Sequence, residues 1–177
     1  KTSYRPFEVD GNRIFHALAA IKGVGEAAVD HIVAVRSEKQ FESLEDFAQR
    51  IDPKIVGKRV LESLILAGAL DCFGHDRARL FAGVEAIMAA AAFARSNSVS
   101  DQTDIFLMGG GQSAGPEAIR LPETPPWLPA ERLHKEFLAI GFYLSAHPLD
   151  EYRSVLEKMR VQTWADFSAA VKRGAMA

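Results

Sequence analysis

Apolar residues alternate with polar ones at the start of the chain and then settle into helical spacing for most of its length. The opening run FEVDGNRIFHAL alternates about Asp10-Gly11, a pair suited to a tight turn, and predicts a β-hairpin. In IKGVGEAAVDHIVAVR the period changes: Val29, Ile32, Val33 and Arg36 keep helical spacing, with Glu26 and Asp30 near the positive N-terminal end. The run predicts a helix of about three turns launched from Gly23-Val24-Gly25. Ser43-Leu44-Glu45-Asp46 reads as a capping box with an acid three residues after the N-cap, followed by a short helix to about Arg50 with Leu44 and Phe47 inward. From Lys58 another apolar helix runs to Gly68, a C-terminal glycine, and Asp76 opens one long Ala-rich helix through RARLFAGVEAIMAAAAFAR.

Residues 96–128 break the pattern. Ser, Asn, Gly and Pro dominate, which predicts a flexible linker, yet Ile105 and Phe106 stand side by side within it. Helical spacing resumes at Pro129, a good first-turn residue, with Leu133, Phe137 and Ile140 on one face and Gly141 at the end. After His147-Pro148, LDEYRSVLEKM predicts a further helix with Tyr152, Val155, Leu156 and Met159 inward. The expected fold is thus mainly α, with a short N-terminal β-hairpin and a C-terminal helical extension.

Composition narrows the class. Of 177 residues 48% are apolar and 25% charged, as in soluble globular proteins, and no apolar run is long enough to span a bilayer. The single cysteine, Cys72, excludes a disulfide framework and points to a cytoplasmic setting. Lys1 stands where an initiator methionine would, so a longer parent is expected. Residues 1–95 hold 13 Lys/Arg against 13 Asp/Glu, and 96–177 hold 8 against 10, so neither half is broadly basic. Nucleic-acid binding would then need local placement of cations or backbone donors.

One motif supplies such donors. Ile21-Lys22-Gly23-Val24-Gly25 has the apolar-x-Gly-apolar-Gly form of a helix-hairpin-helix. Its glycines are expected to take positive φ, and Val24 to pin the turn to the core. The exposed N–H groups and the following helix N-terminus then form an anion site suited to a phosphate, gripping backbone without reading bases. The alternative is a plain helix-connecting turn; Glu26 favours it and Lys22 opposes it. A second candidate, SLILAGALDCFG, has only Gly68 at its hairpin and is either a weak phosphate site or architectural. Lys54, Lys58, Arg59, Arg77 and Arg79 are candidates to line a backbone-contacting face, or else form an ordinary solvated one.

Catalytic signatures are missing. Cys72-x-x-His75 lacks a second pair for zinc, Ser145 and His147 lack a nucleophile elbow, and no phosphate-binding glycine loop of the nucleotide-hydrolase or dinucleotide type is present. The segment is expected to be non-catalytic and to hold no cofactor or metal of its own.

AAIKGVGE, RVLESLILAGALD, QTDIF and LAIGFYLSAHPLDEY, in that order, resemble the alpha subunits of bacterial DNA polymerase III, the replicative polymerases of the C family. The resemblance spans nearly the whole chain. It implies that 1–14 are the end of the fingers, 15–95 a tandem helix-hairpin-helix domain on double-stranded DNA, 96–128 a linker, and 129–177 the approach to a missing oligonucleotide-binding domain. Lys22, Gly23, Val24, Gly25, Lys58, Arg59 and Gly68 would contact DNA. Gln102-Thr103-Asp104-Ile105-Phe106 resembles the family's internal sliding-clamp motif, with Thr103 in place of an aliphatic residue and Ile105 in place of Leu. Gln102 would bond the rim of the clamp's pocket, and Ile105 and Phe106 would fill its floor. Nucleotidyl transfer, with its Mg2+, would belong to the parent, as would the remaining polymerase III holoenzyme subunits as partners. The same region of a damage-tolerant paralogue, or a purely structural helical scaffold, are the competing readings.

Overall fold

The computed structural model describes residues 8–10, 13–15, 17–99 and 118–173. Two three-residue strands, β1 (Glu8–Asp10) and β2 (Arg13–Phe15), pair antiparallel with Val9 opposite Ile14. Beyond Phe15 the described chain is helix, turn or extended segment, so the fold is mainly α. A 3-10 turn at Leu18–Ala20 leads to α1 (Glu26–Glu38), α2 (Leu44–Arg50), α3 (Lys58–Leu66), α4 (Arg77–Ala82), α5 (Val84–Val99) and α6 (Pro129–Ile140). Two short helices, α7 (Arg153–Lys158) and α8 (Trp164–Lys172), follow. The chain divides into two compact units, Lys1–Leu144 and Ser145–Ala177.

Local chemistry explains where the helices of the first unit begin and end. The Ser43 hydroxyl accepts the Asp46 N–H at 3.1 Å, and Asp46, a carbon shorter than the usual glutamate, takes the Glu42 N–H at 3.0 Å instead of that of Ser43. Arg50, in the last turn of α2, donates to the carbonyls of Val35 and Lys39 and so satisfies the C-terminal end of α1. Phe47 is buried between them, edge-on to Phe41 at 5.1 Å between centroids and tilted against Phe73 at 5.8 Å. α3 ends in a Schellman turn: Gly68 is left-handed with φ +77°, its N–H donates to Ile65 O, and the Ala69 N–H donates to Leu64 O, both at 2.9 Å.

Two sequence expectations need correction here. The Ala-rich helix capped by Asp76 is not continuous. It breaks at Gly83, whose missing side chain makes room for a crossing chain: an added Cβ would come within 2.4 Å of Leu121 Cδ2. That chain is residues 118–128, read from sequence as part of a flexible linker. Instead Ile119 and Leu121 pack on the core, the Ile119 N–H donates to Glu45 at 3.2 Å, and Trp127 meets Phe81 edge-on with the Lys135 ammonium 4.7 Å from the indole centroid. Proline after proline suits such an extended strap, because it needs no ladder partners.

α6 is likewise part of the first unit and not of a separate extension from 129. Its inward face is Leu133, Glu136, Ala139 and Ile140, while Phe137, expected inward, is 37% exposed. A charged residue at the centre of an apolar stripe misled the periodicity. In the second unit no described residue is buried: Tyr152, Val155 and Met159, expected inward, are exposed, and Leu156 is half-buried. α8, not anticipated, starts at Thr163, whose hydroxyl accepts the Asp166 N–H at 3.1 Å.

The aromatic cluster carries more stability than the cap beside it. Urea unfolding of Phe47→Ala is expected to lose about 3–5 kcal/mol, against about 1 kcal/mol for Ser43→Ala. Glu45 makes the strap acid-sensitive. Burial raises its pKa, but hydrogen bonds from its own N–H, from Ser43 and from Ile119, with the charge of His75, outweigh that and hold it below the ordinary 4.5. A depressed carboxyl contributes fully above its ordinary pKa and loses its contribution as pH falls through the lower folded value. Acid titration of Trp127 fluorescence in a Trp164→Phe background is therefore expected to show strap release below pH 4.5, and Glu45→Gln to remove that step.

Candidate nucleic-acid interface

Two buried residues hold the first hairpin in place. Ile21 and Val24 both lie in the core, and the Val24 N–H donates to Ile21 O at 3.1 Å to close the turn. Between them Gly23 is left-handed, φ +82°, a conformation that side chains disfavour. Gly25 differs from expectation: it is the N-cap of α1 with φ −74° and ψ 158°, which any residue can adopt. Its role is space. A Cβ placed there would meet nothing within 4 Å, so the approach to the start of α1 is open. The first N–H groups of α1 have no carbonyl of their own helix, and the helix dipole adds positive potential there. Exposed Glu26, in the first turn, competes for that potential.

The hairpin is seated on two other helices. A Cβ on Gly23 would lie 3.0 Å from the Ser63 hydroxyl of α3, so the turn approaches that helix closely. Arg59, exposed, stands one helical turn before Ser63 and therefore on the same face, which brings its charge to the side of α3 that carries the hairpin. The Lys22 N–H donates to Ala139 O at 2.8 Å, and its exposed side chain passes Gly141 at the C-terminus of α6. Lys22, Gly23, Val24, Gly25 and Arg59 thus converge.

The other candidates do not join them in the same way. Lys54 is exposed. Lys58 forms an ion pair with Glu85 of α5, whose hydrogen bond and charge raise the lysine pKa; both side chains are more than half exposed. Such a pair is weakly held and open to exchange. Gly68 spends its N–H on Ile65 O, so the second hairpin offers no free turn amide at that position. Its missing side chain has a different purpose: a Cβ there would lie 2.1 Å from an Arg77 guanidinium nitrogen. Arg77, one of the suggested DNA-facing cations, is only 10% exposed and lies across this glycine. It bonds Asp71 at 2.6 Å, Glu136 at 3.0 Å and the Leu66 carbonyl at 3.3 Å. Burial lowers its pKa, but the hydrogen bonds and charges of Asp71 and Glu136 more than offset this and raise it. Arg79 is half-buried, its Nε without a hydrogen-bond partner among the described residues.

Asp71 and Glu136 were not picked out from sequence. Asp71 lies six residues before Arg77, a spacing with no helical meaning, and Glu136 lies 59 residues beyond it. The only available signal was a glutamate inside the apolar stripe of α6. Gln102, Thr103, Asp104, Ile105 and Phe106 lie outside the described residues. Among the described residues no helix is long and apolar enough to cross a membrane, and no cluster of three or more His, Cys, Asp or Glu is placed to hold a metal.

The sequence profile of the helix-hairpin-helix motif matches residues 1–80. DNA polymerase III subunit alpha of Caulobacter vibrioides is 36% identical over 172 residues, 97% of this chain and 15% of that protein. The same subunit of Vibrio cholerae is 40% identical over 156 residues, 86% of this chain and 13% of its own length. That of Bacillus subtilis is 37% identical over 174 residues, 98% of this chain and 15% of its own. The chain therefore spans about 15% of the length of these relatives. Nearly all of it aligns with them, and the helix-hairpin-helix profile covers its first hairpin: the chain is similar to a segment of the DNA polymerase III alpha subunits that carries the helix-hairpin-helix region.

Proposed function

We propose that this segment grips duplex DNA by its phosphate backbone and tethers its parent polymerase to a sliding clamp, contributing processivity and no chemistry of its own. The observation that carries the DNA reading is the first hairpin, a left-handed Gly23 locked by Ile21 and Val24 beside an unobstructed helix N-terminus at Gly25. A phosphate placed there would meet backbone N–H groups and the dipole of α1, with Lys22 and Arg59 flanking. Lys58 would join by exchanging Glu85 for a phosphate, while Gly68 would act through the shape of its turn. Because the contacts are to backbone, base sequence should not matter.

The clamp reading rests on Gln102-Thr103-Asp104-Ile105-Phe106 alone. A short segment with one amide and two adjacent apolar anchors is suited to a shallow pocket on a partner, at an ordering cost that limits affinity. Linked to a grip on DNA, even a weak tether raises the effective concentration of the polymerase at the primer end. Template-directed nucleotidyl transfer, with Mg2+, would reside in the rest of the parent, and the protein would work in the cytoplasm with the other holoenzyme subunits.

Titrating the chain with duplexes of equal length across a range of salt should give log K falling with log salt by about 0.9 per phosphate engaged. Affinity should be indifferent to base sequence, and Gly23→Ala, strained at φ +82° and crowded by Ser63, should bind about tenfold more weakly. Equal binding by Gly23→Ala would return the hairpin to the status of a connecting turn. Separately, a sliding clamp titrated with wild type and with Gln102→Ala/Phe106→Ala should bind the first only; undiminished binding by the double variant would place the clamp contact elsewhere.

A further inference from the structure

We infer that Glu136 is a positioning residue that registers both hairpins on the last turns of α6, so that the DNA grip depends on a side chain that would never touch DNA. Its consequence for DNA rests on the phosphate-grip reading above.

Glu136 is fully buried, the most enclosed charged residue among those described. Its Oε2 accepts from Arg77 at 3.0 Å and its Oε1 accepts the Leu144 N–H at 2.7 Å. A leucine would fill the same apolar stripe without losing the hydration of a carboxylate. What the carboxylate adds is direction. The Arg77 guanidinium forks onto Asp71 through Nε at 2.9 Å and Nη2 at 2.6 Å and lies over Gly68; Glu136 takes the remaining Nη1, which also reaches the Leu66 carbonyl at the end of α3, and so ties this fork to α6. The second hairpin is thereby held to α6 by a charged hydrogen bond of defined direction rather than by apolar contact alone.

The first hairpin is held to the same stretch of helix. Ala139, three residues after Glu136 and so about 4.5 Å further along the axis, accepts the Lys22 N–H at 2.8 Å. Gly141, left-handed at φ +99°, ends the helix beside the Lys22 side chain, whose Nζ would lie 3.8 Å from a Cβ at that position. The negative end of the α6 dipole is thus set against Lys22. Within six residues, α6 fixes a backbone amide of one hairpin and the arginine that braces the other. Displacing Glu136 moves both.

Amide hydrogen exchange on the whole chain tests this directly. In Glu136→Gln, the Lys22 and Ala69 amides, which close on Ala139 and Leu64, are expected to exchange at least about tenfold faster, while the amides of Val29 and Leu61 keep their wild-type rates. Uniform acceleration, or none, would mean that Glu136 supplies only general stability and would overturn the inference. The double variant Arg77→Met/Glu136→Leu supplies a second check, because apolar replacement of a buried pair restores stability without restoring direction. Its hairpin amides should stay fast although its melting temperature recovers; wild-type protection would overturn the inference. DNA titration of Glu136→Gln should show a salt slope shallower by about 0.9 for each phosphate no longer engaged. If wild type binds no duplex, or Gly23→Ala binds as well as wild type, the phosphate-grip reading fails, and the exchange rates still decide whether Glu136 positions the hairpins.

Discussion

A carboxylate taken fully out of water must be met by a cation and by hydrogen bonds, and Glu136 draws these from separate parts of the chain that come together around it. Arg77 supplies the cation, the turn at Gly68 supplies the space in which that cation lies flat, and the chain after Gly141 returns to supply the Leu144 N–H. Two of those parts are themselves anchored: Arg77 follows the Asp76 cap of α4, and Gly68 closes α3. An apolar core of this kind tolerates many packings of similar volume. The buried charge selects one of them.

That selection bears on function because the surface offers little electrostatic help. Positive and negative residues nearly balance, Lys58 is paired with Glu85, and Arg77 is turned inward. The proposed grip, a few backbone amides and two flanking cations, would be sensitive to placement, since each donor would have to meet a phosphate at hydrogen-bond distance. Seating the first hairpin against Ser63 of α3 and Ala139 of α6 converts core packing into surface geometry. In the first unit the scaffold and the candidate site are therefore one construction, with the aromatic cluster around Phe47 securing one side and the α6 contacts the other.

Features decided by a few neighbouring residues were legible in the sequence. The Ser43 cap, the C-terminal glycine at position 68, the Asp76 cap and the core role of Val24 all follow from local rules, and the structure has each of them. Features decided by distant neighbours were not. The alanine-rich helix breaks at Gly83, and Leu121 packs against the bare glycine there, a contact that nothing in the helix itself announces. The strap at 118–128 has the composition of a linker, yet it is held by single residues, Ile119, Leu121 and Trp127, that meet partners far along the chain. Gly25 was misread for a simpler reason: a glycine can serve by leaving space as well as by taking positive φ. The second unit carries helical periodicity without burying the side chains that display it, so pattern there predicted helix at α7 but not packing.

The interlock of Gly68, Arg77 and Glu136 also restricts how this region can change by inheritance. A side chain at 68 collides with the guanidinium; a shorter residue at 77 leaves a buried carboxylate without this cation; an apolar residue at 136 leaves Asp71 as the charged partner of Arg77 among the described residues. Each of these single steps is expected to lower stability. Compensated pairs of changes are then the easier way out of this arrangement, so the three positions, spread across 69 residues of chain, are expected to change together.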